Sequence, residues 1–277
     1  MQDPIHYFEP NQALSWRQAR LEGPDARDFL NRITSVDVKN LAVAQGTPAC
    51  ILDAQGRFRA YFWLWCLGQN EFLFEMEGGP EDRLFKEFLG VIDQFTFAEK
   101  MKLTTPTPRG LWVFGSPAEP LNHGSRDYGR PWTTLWDAPA PASDWVRADL
   151  DLLESWRIAA LRPRPGFEID AQSNPLELGL IDAVADQKGC YPGQEIIEKI
   201  VAIGAPARRL VQLQLSGPAQ AGTELADGAG KLTSVSLKTG LALALVRKTQ
   251  AQEGKQLQIL GTTTSGTVLK VAPYAKS

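Results

Sequence analysis

Cysteine and histidine are scarce in this sequence. Its 277 residues include 3 cysteines, at positions 50, 66 and 190, and 2 histidines. The cysteines are too scattered for a disulfide framework, and none forms a C-x-x-C pair. With His6 and His123 they do not make the ligand spacing of a zinc site. We therefore predict no metal site, and a reducing cytoplasmic location.

The sequence also lacks a basic surplus and a long apolar run. Its 29 Lys and Arg residues stand against 32 Asp and Glu residues, giving a net charge of -3. A dedicated nucleic-acid binder normally carries excess positive charge, so we expect no direct nucleic-acid partner. The longest apolar run, 61–67, is too short to span a bilayer, and the acidic segment 1–10 is unlike a signal peptide. We predict no membrane association.

Common nucleotide-binding and hydrolase motifs are missing as well. The sequence has no P-loop, no G-x-G-x-x-G after a strand and no G-x-S-x-G elbow. Folds that bind mononucleotides or dinucleotides through glycine-rich loops are therefore disfavoured.

The patterns that are present predict an α+β fold. Apolar periodicity predicts helices over four segments and strands over four others. The helices are at 24–33, at 80–89 before Gly90, at 149–161 and from about 192 to 203, and the strands are at 18–22, 47–52, 58–67 and 71–75. The proline- and glycine-rich stretch 104–144 predicts loops with a few strands. From 208 onward, short strands between glycines predict a small antiparallel barrel. We place the domains at 1–205 and 206–277.

One segment, 188–195 with the sequence K-G-C-Y-P-G-Q-E, combines residue types that suit a reactive site. Cys190 precedes a predicted helix, whose dipole favours a thiolate, and Lys188 adds positive charge nearby. Gly189 and Gly193 permit a tight turn. A free cysteine is also often a small buried hydrophobe, so the residues alone leave Cys190 open between a reactive and a structural role. The other two cysteines lie on apolar strands and are interpreted as core.

This segment resembles the K-G-C-Y-x-G-Q-E signature of the YgfZ family, folate-binding relatives of the glycine-cleavage T-protein. Segments 21–37 and 52–57 resemble the opening and the first hairpin of that family, and 204–210 resembles its link to the C-terminal barrel. The similarity is weakest over 104–144. It implies two N-terminal α+β lobes and a barrel around a folate channel.

The resemblance also implies site residues and partners. Cys190 and Lys188 would be the catalytic residues, and the cofactor would be tetrahydrofolate or a derivative. An indole can stack on a pterin ring, and Trp16 matches the tryptophan of the family's folate site. Trp156 lies near a second family ring but out of register. The remaining ligand-binding residues implied by the signature are Tyr191, Gln194 and Glu195.

The function that the resemblance implies is iron–sulfur cluster assembly or repair, which supports tRNA-modifying enzymes. The partners would be folate and, transiently, iron–sulfur proteins, and we expect a monomer. Cys190 would attack a one-carbon unit on folate, transfer sulfur or ligate iron, and the sequence leaves these chemistries open. A non-catalytic folate-sensing or scaffold module is the alternative, and a tetrahydrofolate-dependent aminomethyltransferase is less favoured.

Three features of the sequence bear on these alternatives. The family's R-I-E-A-G stretch is R-I-A-A-L at 157–161, which loses a glutamate that would contact the pterin and a glycine. The paired aspartates of aminomethyltransferases correspond approximately to Arg59 and Ala60, which argues against that activity. Five arginines form either a folate-tail patch or a solvated surface, and these are Arg157, Arg162, Arg164, Arg208 and Arg209.

Overall fold

The computed structural model describes residues 4–10, 14–108, 110–115, 121–124, 127–136 and 140–275. The chain forms two compact units. The first consists of Met1–Ser125, Arg130–Ala148 and Asp182–Ile196, and the second of Arg126–Gly129, Asp149–Ile181 and Ile197–Ser277. This grouping differs from a single division at 205/206, which stays a prediction. No helix among the described residues has the length and apolar character needed to cross a membrane.

Within the described ranges, the first unit has ten strands and two complete helices. The strands are β1 (His6–Phe8), β2 (Trp16–Glu22), β3 (Gly46–Leu52), β4 (Phe58–Gly68), β5 (Glu71–Glu77), β6 (Lys102–Thr104), β7 (Gly110–Phe114), β8 (Leu121–Gly124), β9 (Trp132–Trp136) and β10 (Val146–Arg147). The helices are α1 (Ala26–Ile33) and α2 (Arg83–Phe95). The four strands predicted from the sequence correspond to β2 to β5, with ends extended by up to two residues.

These strands form two sheets. One has the order β3-β4-β5-β2-β6 and is antiparallel throughout. Its apolar core includes Phe29 and Leu30 of α1 and Phe88 of α2, all completely buried. The second sheet has the order β10-β1-β7-β9-β8. Its strands β7, β8 and β9 come from the segment predicted to hold loops with a few strands.

Helix α2 differs from its predicted bounds. It begins at Arg83 and continues past Gly90 to Phe95, so the expectation that Gly90 ends it is wrong. A Cβ at Gly90 would meet nothing within 4 Å, so no neighbour requires glycine there. Val91 and Ile92 are buried in the core, and their burial outweighs the modest helix propensity of one glycine.

The second unit combines a helix with a five-stranded antiparallel sheet. Helix α3 (Leu150–Ala159) carries Asp149 as its N-cap, whose carboxylate accepts from the amide of Leu152 at 2.7 Å. The strands are β11 (Arg208–Leu215), β12 (Gly230–Val235), β13 (Leu241–Arg247), β14 (Gln256–Gln258) and β15 (Ser265–Val271), in the order β12-β13-β11-β15-β14. Helix α4 (Gln194–Ile203) begins in the first unit along the chain and continues in the second.

The region predicted to form a C-terminal barrel contains this five-stranded sheet. Two isolated bridges, Glu224 to Lys231 and Leu225 to Ile259, connect the segment before β12 to both edge regions of the sheet. The interior is apolar, with Val211, Leu213 and Ala244 fully buried. Closure of the sheet into a barrel stays a prediction, which the two bridges favour.

Leu161 follows α3 in a left-handed conformation, with φ of 55°. It stands where the family's R-I-E-A-G stretch has glycine, the residue that adopts positive φ without a Cβ clash. Because Leu161→Ala removes the same side chain without relieving this conformation, we expect Leu161→Gly to be more stable than Leu161→Ala by about 1 kcal/mol. Urea unfolding of the two variants measures the difference. Equal stabilities would show that the backbone at this position is unstrained.

Candidate functional site

The signature loop at 188–195 is fixed through the side chain of Lys188. Its Nζ atom donates to the backbone oxygens of Asn31 at 2.6 Å, Thr34 at 2.5 Å and Val36 at 3.0 Å. These carbonyls lie at the end of α1 and just after it. Partial burial lowers the pKa of Lys188 to about 8, against the opposing effect of the Asp37 carboxylate. The ammonium therefore anchors the loop to the C-terminus of α1.

The same loop is held a second time through Gly193. Its φ is +82°, and a Cβ there would lie 2.5 Å from the backbone oxygen of Asp53 and 3.0 Å from the Cα of Gly56. Both are in the hairpin turn between β3 and β4. Only glycine combines this conformation with so close an approach. The hairpin turn at 53–56 and the signature loop are thus packed backbone to backbone.

Ser35 forms a third connection. Its hydroxyl donates to the backbone oxygen of Ala183 at 2.5 Å and accepts from the amide of Cys50 at 3.0 Å. Its own carbonyl accepts from the amide of Ala185 at 2.8 Å. The segments at 34–37, 52–57 and 188–195, which carry the family resemblance, therefore meet in the first unit.

Within this loop, the side chain of Tyr191 is directed inward. It is 7% exposed, and the Nζ of Lys188 lies 5.0 Å from its ring centroid. The Tyr191 amide donates to Oε1 of Gln194 at 3.3 Å, so Gln194 shapes the turn that leads into α4. Glu195 is exposed on the first turn of that helix. The buried tyrosine side chain therefore holds the loop against the first unit.

The thiol of Cys190 is exposed on this anchored loop. Cys50 and Cys66 are instead completely buried, which agrees with their interpretation as core residues. Burial raises the pKa of Cys50, a change that the hydrogen bond from Ser35 only partly opposes. Cys190 is thus the cysteine that an external reactant can reach.

Trp16 and Trp156 lie in different units. Trp16 begins β2, is 6% exposed and contacts Trp112 edge to face, with ring centroids 4.6 Å apart. Its indole N–H is buried and has no hydrogen-bond partner among the described residues. Trp156 is half-buried on α3 of the second unit. The structure brings five of the predicted site residues together in the signature segment, and each tryptophan lies on a separate element.

A buried polar cluster in the first unit was not anticipated from the sequence. Glu75 on β5 accepts hydrogen bonds from Nε2 of Gln18 at 2.9 Å and Nε1 of Trp65 at 2.8 Å. Nε2 of His123 lies 3.4 Å from the same carboxylate and 2.9 Å from Oγ1 of Thr134. Burial opposes ionisation, but the contacts to His123, Gln18 and Trp65 outweigh it and lower the pKa of Glu75. The aromatic strand pattern around Glu75 indicated only a buried strand.

The five arginines that suggested a folate-tail patch all contact groups of the second unit. Arg157 is 3% exposed and contacts the carboxylates of Glu154 at 2.6 Å and Glu168 at 3.1 Å. The other contacts are Arg164 with Glu154, Arg162 with Asp127, Arg208 with Glu177, and Arg209 with the ring of Tyr274. Four of these arginines thus belong to ion pairs within the unit. These ion pairs account for the positions of four arginines, and a folate-tail role for the set stays a prediction.

No group of three or more His, Cys, Asp and Glu side chains in the described ranges is placed to hold a metal ion. No protein-family model matches the chain.

Sequence similarity connects the chain with three named proteins. It is 24% identical over 275 residues to the tRNA-modifying protein YgfZ of Klebsiella pneumoniae, covering 86% of this chain and 80% of that one. It is 37% identical over 128 residues to a chloroplastic protein of Arabidopsis thaliana provisionally named a transferase, covering 44% of this chain but 29% of that protein. It is 31% identical over 139 residues to an aminomethyltransferase of Symbiobacterium thermophilum, covering 46% and 37% respectively. The last two alignments thus span less than half of those relatives.

Structural similarity extends over nearly the whole chain. Aminomethyltransferase T of the glycine cleavage system from Bartonella henselae superposes with a TM-score of 0.80 at 17% identity, covering 99% of this chain and 89% of that one. At this identity the likeness establishes the fold. The resemblance that the signature segment predicted is confirmed: the chain is similar to YgfZ over most of its length and has an aminomethyltransferase-like α+β fold.

Proposed function

We propose that this chain is a folate-binding protein of the YgfZ type that supports iron–sulfur cluster assembly or repair, and thereby tRNA-modifying enzymes, with Cys190 as its working thiol. The observation that carries the proposal is an exposed thiol on a loop anchored by Lys188 and Gly193. A free cysteine with a purely structural role is usually buried, and the exposure of Cys190 therefore favours a chemical role.

The region around Trp16 fits a folate ligand in one specific respect. A buried indole N–H without a partner costs free energy, and an acceptor atom of a pterin would satisfy it. An indole face also offers stacking area to a flat heteroaromatic ring. Bound tetrahydrofolate would supply a carrier for a one-carbon unit, and Trp16 would bind and orient its ring.

Lys188 has a positioning role in this proposal. Its ammonium donates to three backbone carbonyls, so its donors are committed to the end of α1. Lys188 thus fixes where Cys190 is presented. The thiol itself can act as a nucleophile, carry a sulfur atom or ligate iron transiently, and the proposal covers these three roles.

Replacing Cys190 by Ala tests the proposal. We expect Cys190→Ala to abolish complementation of a strain that lacks its YgfZ protein, while thermal unfolding and tetrahydrofolate binding stay unchanged. The matched control is Gly189→Ala, the neighbouring position, where an added Cβ meets nothing within 4 Å and complementation should persist. Full complementation by Cys190→Ala would eliminate the working thiol from the proposal.

Tryptophan fluorescence tests the ligand separately. Tetrahydrofolate titrated into the wild-type protein should quench fluorescence, and Trp16→Phe should weaken the affinity by about tenfold, since stacking and one hydrogen bond are reduced together. Trp156→Phe is the comparison for the second ring. An absence of quenching in all three proteins would remove folate from the proposal.

The alternatives predict different results. In a non-catalytic folate-sensing or scaffold module, Cys190 would resist alkylation by mild thiol reagents, and Cys190→Ala would still complement. An aminomethyltransferase would form methylenetetrahydrofolate and ammonia from tetrahydrofolate and an aminomethylated carrier protein. Arg59, which contacts Gln94 at 2.8 Å, and the buried Ala60 provide no carboxylate to orient a transferred carbon in that reaction.

A further inference from the structure

The second unit contains an open groove between the end of α4 and the sheet. Its volume is about 740 Å³. The apolar part of the lining consists of Ile200, Ile203, Ala205, Pro206 and Ala207, and the polar part of Arg208, Arg247, Lys248 and Thr249. Neither the signature segment nor Trp16 or Trp156 contributes to it.

The helix beside this groove leaves apolar side chains in solvent. Ile197 is the buried residue of α4, whereas Val201 is 46% exposed and Ile203 is 65% exposed. The helix stops at Gly204, whose φ of +92° turns the chain toward Pro206 and β11. Ile203 lines the groove together with the partly exposed Ile200, three residues earlier on the same face of the helix. Contiguous exposed apolar surface marks interaction sites more often than isolated side chains do.

Positive charge is concentrated at the rim of the groove. Arg208 and Arg247 stand directly opposite each other across β11 and β13, a like-charged pair that disfavours the sheet. Glu177 neutralises Arg208 through contacts at 3.0 and 2.8 Å. Arg247 and Lys248 are exposed and form no ion pair with a carboxylate of the described residues. The carboxylates of Glu177 and Asp170 act on Arg208, whereas the exposed Arg247 and Lys248 leave positive charge at the rim.

We propose that this groove binds an acidic amphipathic segment of a partner protein. Apolar side chains of that segment would cover Ile200 and Ile203, and its carboxylates would pair with Arg247 and Lys248. A nucleic acid is a poorer match, because the floor of the groove is apolar. Neither Cys190 nor Trp16 lines this groove, so the inference does not rest on the proposed function.

Fluorescence anisotropy with a labelled peptide tests this surface. The probe is an amphipathic peptide of about twelve residues, made of leucine and glutamate at helical spacing. We expect it to bind the full chain, and the double variant Arg247→Ala/Lys248→Ala to bind it about tenfold more weakly. Ile203→Ser should weaken binding as well, and its exposed position makes the substitution compatible with folding. A peptide with lysine in place of glutamate should not bind.

The control separates a specific groove from general charge attraction. Lys231→Ala/Lys270→Ala removes the same charge from two exposed positions of the same sheet and should leave affinity unchanged. Equal affinity in all variants, or equal loss in both double variants, would overturn the proposal. Self-association abolished by Ile203→Ser in sedimentation velocity would assign the groove to a second copy instead. Cys190→Ala should bind the peptide with wild-type affinity. A failure of the proposed function can therefore be distinguished from a failure of the groove proposal.

Discussion

Replacement of Glu75 by alanine is expected to lower the free energy of unfolding by about 4 kcal/mol, because two buried donors and the neighbouring His123 lose one carboxylate together. Gln18 and Trp65 donate to this carboxylate, and His123 lies beside it. The side chains of Glu75 and His123 are completely buried, so water cannot replace the lost contacts. Urea unfolding followed by far-UV circular dichroism measures the change.

The control for this substitution is Glu75→Gln, which keeps the shape and one acceptor oxygen but removes the charge. It should cost less than Glu75→Ala. A cost below about 1 kcal/mol for the alanine variant would show that the cluster contributes little to stability.

The charge of Glu75 also predicts a pH dependence. Its pKa in the folded protein lies below the ordinary value of 4.5, so its ionised form stabilises the fold. That contribution is complete above about pH 4.5 and is lost as the pH falls through the lower folded pKa. Between pH 5 and 3 the wild-type protein should therefore lose more stability than Glu75→Gln. Parallel curves for the two proteins would contradict this assignment.

Gly193→Ala is the second substitution with a large expected effect. We expect a loss of about 3 kcal/mol, because the new Cβ combines a strained φ of +82° with a 2.5 Å approach to the Asp53 oxygen. The signature loop must move away from the hairpin turn to relieve this contact. Cys190 should then be presented differently, and complementation should fall along with stability.

Gly204→Ala isolates the conformational part of this cost. Gly204 has a similar φ of +92°, but a Cβ there meets nothing within 4 Å. It should lose about 1 kcal/mol, the penalty for positive φ alone. Thermal unfolding of both variants measures the contrast. If Gly193→Ala is no less stable than Gly204→Ala, close packing between loop and turn is not what requires glycine.

Local patterns predicted most of the regular elements. Apolar periodicity within a single segment predicted the strands around 18–22 and 58–67, the helix before Gly204 and the short C-terminal strands. The exception at Gly90 shows the limit of such reasoning. Whether one glycine ends a helix depends on tertiary burial of the following residues, and a propensity does not contain that information.

The candidate site was predictable in its members but not in its contacts. The spacing of 188–195 singled out Cys190, and the resemblance singled out Trp16. The partners of Lys188 are main-chain oxygens about 150 residues away, and those atoms are present at every residue of any sequence. The contact between Glu75 and His123 was also not predictable from the sequence, because it depends on how two sheets of the first unit pack.

The anchor formed by Lys188 has a consequence for which changes the site can tolerate. Main-chain oxygens do not depend on side-chain identity, so substitutions at Asn31, Thr34 or Val36 can leave the lysine fully satisfied. A single residue inserted or deleted in the last turn of α1 would rotate the Asn31 carbonyl by about 100° relative to the segment that follows, the turn per helical residue. The site therefore depends on the number of residues at the end of α1 more than on the identities of their side chains.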